Sequence, residues 1–128
     1  MLAVDGVTLQ ANGGAAASAL ATMSFLVDVI QIEPAHADEY LRLVRDLGVP
    51  VMTAAGAALV ACWSTARDHG EDVDVLVAWS IGDAARWNEI RKNLVLDPRW
   101  HRYGREVARL RRGGTRRIHH AADFSPDA

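Results

Sequence analysis

A single cysteine, Cys62, rules out a disulfide within the chain, and with it the small cross-linked scaffolds of secreted proteins. Cations are missing from the first third, where Arg42 is the first basic residue. A secretory leader needs positive charge ahead of a strong apolar core, so the small-residue run from Ala15 to Ala21 does not read as one. No stretch approaches the ~20 continuous apolar residues of a membrane span. Internal repeats at 20- to 50-residue spacing are also lacking, which excludes solenoids and propellers. Together these absences predict a cytoplasmic protein with no membrane partner.

What is present is the balance of a globular domain: 128 residues, half of them hydrophobic and 23% charged. A chain of this length makes one domain and needs neither disulfide nor metal to hold a core. Residues 1–22 carry no helical or strand periodicity and are expected to be a flexible Gly/Ala extension, with Met23 as an alternative start and 23–128 as the folded domain. Deleting residues 1–22 should therefore leave the melting temperature nearly unchanged in a thermal denaturation. A fall of many degrees would show that the segment packs on the core.

Charge is segregated. Between Arg86 and Arg117, ten Arg and one Lys face three acids, a net of +8, while residues 1–85 carry a net of −8. Such asymmetry suits an anionic partner, or a basic helix packed near acidic neighbours in the same assembly. No basic-aromatic strand or nucleic-acid reader motif accompanies the arginines, so no nucleic-acid partner is expected and the run is a solvated helix face.

Phe25 to Ile32 alternates β-branched and other apolar residues around one charge, Asp28, and predicts a buried strand. After Pro34, the stripe Tyr40, Leu41, Val44 and Leu47 predicts a helix, interrupted by Gly48 and Pro50. Ala57 to Thr65 and Val73 to Ile81 read as strands joined by a polar, Gly-containing hairpin loop over 66–72. Asp83 and Asp97 read as N-caps of two helices, the second with Pro98 at its first position. Trp87, Ile90 and Leu94 form the inward stripe of the first, and Trp100, Tyr103, Val107 and Leu110 that of the second. Gly113-Gly114 is expected to end that helix, leaving Thr115 to His120 as a short last strand.

The order βαββαβ is an α+β, ferredoxin-like arrangement, a four-stranded antiparallel sheet with helices on one face. Its bare apolar face must be covered. A second copy would do so, giving a homodimer with the form of a dimeric α+β barrel.

The chain resembles the NIPSNAP family, a branch of that barrel superfamily, over about residues 24–126. Val77-Ala78-Trp79-Ser80 is similar to the family's third-strand segment, and Asp97-Pro98-Arg99-Trp100-His101-Arg102-Tyr103 to its D-P-x-W-x-x-Y turn and helix. Arg117-Ile118-His119-His120, running to Asp123-Phe124-Ser125-Pro126, resembles its closing strand and F-S-P tail. Leu26, Asp28 and Ile30 stand where the family's first strand commonly carries an acidic, a basic and an aromatic residue, and Val77 where the third strand carries a His. The resemblance implies a fold more than a reaction. Superfamily relatives include cofactor-free monooxygenases, cyclases, isomerases and haem-degrading enzymes.

Asp28 is the position with the most chemical content, because a carboxylate inside an apolar strand needs a partner or a raised pKa. First and last strands are neighbours in this topology, so Asp28 could meet His119 or His120 and form an acid/base unit. The alternatives are a structural hydrogen-bonded pair or an arginine from the second copy. If the bare sheet face carries them, Leu26, Ile30, Val77 and Trp79 line a cavity beside Asp28 that suits a small apolar or aromatic ligand. His119 and His120 are adjacent on a strand and point to opposite faces, so they do not make a metal site. No metal and no cofactor are expected. Two functions follow: a cofactor-independent enzyme of isomerase, cyclase or monooxygenase type, or a non-catalytic ligand-binding or protein-interaction module.

Overall fold

A computed structural model describes residues 23–66 and 71–126; the N-terminal extension and most of the expected hairpin loop lie outside the described residues. The chain runs β1 (Ser24–Ile32), α1 (Pro34–Leu43), one wide π turn (Val44–Gly48), α2 (Val49–Ala55), β2 (Ala58–Ser64), β3 (Val73–Gly82), α3 (Ala84–Val95), α4 (Pro98–Leu110) and β4 (Arg111–His120). The strands form one antiparallel sheet in the order β2-β3-β1-β4, the ferredoxin-like arrangement. Among the described residues, no helix is long and apolar enough to cross a membrane.

Strand alternation divides the sheet into two faces. On β1, Leu26, Asp28, Ile30 and Ile32 are buried, and they stand opposite Trp79, Val77, Val75 and Val73 of β3. These side chains share a core with Tyr40, Val44, Val51, Met52, Ile90, Leu94 and Leu110, so theirs is the helix-covered face. Phe25, Val27, Val29, Leu76, Ala78, Ala61 and Trp63 point the other way, where none of the helices among the described residues lies. Trp63 is 66% exposed there.

Both expected N-caps are made: Asp83 Oδ1 accepts from the Arg86 amide at 2.8 Å, and Asp97 Oδ1 from the Arg99 amide at 2.9 Å. Two boundaries differ from expectation. Gly48 and Pro50 do not break the first helix, because Pro50 sits in the first turn of α2, where its missing N–H costs nothing, and the π turn absorbs the extra residue. A Cβ on Gly48 would lie 2.9 Å from the Tyr103 ring, so glycine is what lets α4 close on the turn. Gly113-Gly114 does not end α4 either. The helix stops at Leu110, and β4 is ten residues long with both glycines inside it. Gly114 passes so close to β1 that a Cβ would meet the Val29 carbonyl oxygen at 2.6 Å.

Candidate functional site

A cleft of about 310 Å3 opens between the sheet and the helices at the β1–β4 edge. Asp28 and Ile30 rise into it from β1, Tyr40 from α1, and Trp100, Tyr103 and Val107 from α4, with Arg111 and Arg116 from β4. Each position follows from local periodicity. Asp28 and Ile30 are two apart on a strand, and Trp100, Tyr103 and Val107 are three and four apart on a helix.

The chemistry centres on Asp28, 8% exposed, and Arg116, which stands directly across the β1–β4 ladder from it. Arg116 Nε donates to Asp28 Oδ1 at 2.7 Å and Nη2 donates to Oδ2 at 3.0 Å, a side-on bidentate pair. The same guanidinium lies over the Trp100 ring, 5.5 Å from its centroid, and Trp100 in turn packs against Tyr103 with centroids 6.0 Å apart. Burial is the largest single influence on Arg116 and opposes its charge, but the hydrogen bond and the charge of Asp28, with the nearby phenols of Tyr103 and Tyr40, together outweigh it and the arginine's pKa is raised. Burial is also the main cause that pushes the Tyr103 phenol up to about 12, with the Asp28 charge adding to it. Tyr40 is pushed up further, first by burial and then by its neighbour Tyr103. Near neutral pH the cleft therefore holds two protonated phenols and an ion pair.

The sequence-based site needs correction. Leu26, Asp28, Ile30, Val77 and Trp79 do share a face, but it is the helix-covered one. Leu26, Val77 and Trp79 are at most 2% exposed and belong to the closed core, so of the expected lining only Asp28 and Ile30 reach the cleft. The Asp28–histidine unit is not made. His119 stands opposite Phe25 on the bare face, and His120 is at the strand end opposite Ser24, where its Nδ1 and Ser24 Oγ share a hydrogen bond at 3.2 Å. The ladder puts Arg116 at the place where a histidine was expected, and the arginine comes from the same chain rather than from a second copy.

Tyr40, Trp100, Tyr103, Arg111 and Arg116 were missed as cleft residues. The aromatic ones were legible as helix stripes and had been assigned to packing alone. The arginines were hidden in a basic run.

A NIPSNAP family model matches residues 27–126. Among solved structures, an uncharacterized NIPSNAP domain protein from Burkholderia xenovorans is 24% identical, covering 82% of this chain and 100% of its own, with a TM-score of 0.69. A NIPSNAP family protein from Agrobacterium tumefaciens is 27% identical, with 81% and 97% covered and a TM-score of 0.68. A candidate antibiotic biosynthesis monooxygenase from Caulobacter crescentus shares the fold at 14% identity, with 82% and 94% covered and a TM-score of 0.53. No curated protein matches this sequence.

Proposed function

The chain belongs to the NIPSNAP family, and from that premise we propose that its cleft binds a small, flat, largely apolar organic molecule. The observation that carries this reading is the convergence of Trp100, Tyr103, Ile30 and Val107 on one cavity beside a half-buried ion pair. Ligand sites of this size are mostly apolar walls with a few fixed polar groups. Trp100 provides the test. A panel of bicyclic aromatic compounds should include ligands that quench tryptophan emission saturably, and Trp100→Phe should remove most of that quench while Trp63, Trp79 and Trp87 still emit. A panel with no saturable quencher up to about millimolar concentration would overturn the reading.

On the catalytic form of the proposal the protein is a cofactor-independent isomerase, cyclase or monooxygenase. These reactions share one demand, stabilisation of an electron-rich oxyanion formed when a proton passes from the substrate to a base, which in this cleft would be solvent water because Asp28 is held by Arg116. Positive charge from Arg116 and a phenol that stays protonated near neutral pH meet that demand without reorganisation. A second reading, a non-catalytic ligand-binding or interaction module, is favoured by one specific fact: both Asp28 oxygens are already engaged by Arg116, which makes the carboxylate a poor base. Turnover by the wild type of any compound that quenches Trp100 decides between them.

The bare sheet face supports a homodimer as part of the proposal. A continuous apolar surface from Phe25 to Trp63 across three strands would be covered by a second copy packed face to face.

A further inference from the structure

We infer that the cleft's ligand is an organic carboxylate, its anionic end held by Arg111 and by Nη1 of Arg116 and its flat body lying along α4 at Gly104. The inference rests on the cleft being a ligand site. It starts from which arginines are satisfied. Arg109 is paired with Glu39 and Glu106, Arg112 with Glu33 and Asp72, Arg99 with Asp97 and Arg116 with Asp28. Of the four arginines from Arg109 to Arg116, three are thus neutralised by acids of the same chain. Arg111, flanked by these, has no carboxylate within 4.0 Å among the described residues, and it lines the cleft.

The cleft's own charges point the same way. Two guanidiniums face one carboxylate, and both oxygens of that carboxylate are used by Arg116, whose Nη1 takes part in neither bond. A ligand therefore meets a net positive charge and free N–H donors. Such a lining rejects a cation, and it favours a carboxylate over a neutral group of the same shape.

Gly104 supplies the second, independent observation. Glycine inside a helix costs about 1 kcal/mol relative to alanine, so it calls for a reason. At Gly48 and Gly114 the reason is contact, because a Cβ would collide at 2.9 Å and 2.6 Å. At Gly104 a Cβ would meet nothing within 4 Å, yet the residue borders the cleft. Packing within the fold does not require glycine there. A flat ligand lying against the helix backbone does.

The test uses 2-naphthoate and 2-naphthamide, which have nearly the same shape and differ in charge, titrated calorimetrically into the wild type, Arg111→Gln and Gly104→Leu. The acid is expected to bind the wild type at least about tenfold tighter than the amide, with an affinity that falls as salt is raised. In Arg111→Gln the two compounds should converge to within about threefold. Gly104→Leu should bind neither while melting no lower than the wild type, since leucine is the better helix former. An amide that binds the wild type as tightly as the acid, or a preference for the acid that survives in Arg111→Gln, overturns the carboxylate inference and leaves the cleft reading standing. Failure of both compounds to bind the wild type, or undiminished binding to Gly104→Leu, overturns the two together.

Discussion

A Leu76→Asp variant is expected to sediment as a folded monomer at concentrations where the wild type is expected to form the proposed dimer. Leu76 lies on the bare face of β3, between Val29 of β1 and Trp63 of β2, with no cation opposite it on either side. In a monomer the new carboxylate would face water and cost the fold little. In a face-to-face dimer it would sit inside the apolar contact, and twofold symmetry would put two of them there. Burying an unpaired carboxylate costs several kcal/mol; even about 2 kcal/mol for each of the two weakens association roughly a thousandfold. An obligate interface buries roughly 2,000 Å2 or more, so the wild type should remain dimeric at micromolar concentration. Leu96→Asp is the control. Leu96 is 81% exposed at the corner between α3 and α4, away from the sheet face, and its replacement should leave the dimer intact. A wild type that sediments as a monomer at micromolar concentration would remove the second copy from the proposal.

The fold was legible because period-2 and period-3.6 patterns barely overlap in this chain. The β1 alternation, the two Asp caps and the stripes ending at Leu94 and Leu110 were each carried by local residues, and each is found where local physics puts it. The cleft was less legible because it depends on register and on which face the helices cover, and neither is local. Alternation showed that Leu26, Asp28 and Ile30 share a side of the sheet. It did not show which side, since both faces of β1 are apolar. Starting the last strand at Thr115 hid its first four residues, including Arg111 and the glycines that let β4 approach β1. A strand begun at Arg111 and paired antiparallel to β1, with the register shift between Gln31 and Ile32, brings Arg116 opposite Asp28. A glycine pair reads as a terminator in sequence because the neighbouring strand that demands it is more than 80 residues away.

The Asp28–Arg116 pair also yields a sharp asymmetry in stability. Arg116→Met is expected to lower unfolding free energy by about 3 kcal/mol, whereas Asp28→Asn should cost only about 1 kcal/mol. The difference follows from exposure. Asp28's side chain is 11% exposed and Arg116's 45%, so removing the arginine strands a charge in the core, while neutralising the aspartate leaves a cation that water can still reach. Methionine keeps much of the contact with Trp100, so the loss in Arg116→Met is mainly electrostatic rather than one of packing. The double variant buries no charge at all, and it should be at least about 1 kcal/mol more stable than the sum of the single effects predicts. Denaturant unfolding of all four proteins at one protomer concentration measures this, with the concentration held fixed because dissociation of the proposed dimer would be linked to unfolding. An Arg116→Met loss below about 0.5 kcal/mol would mean that water entering the cleft solvates Asp28 as well as the arginine does. The pair would then contribute nothing to the fold, and its retention in a buried strand would have to be explained by the ligand alone.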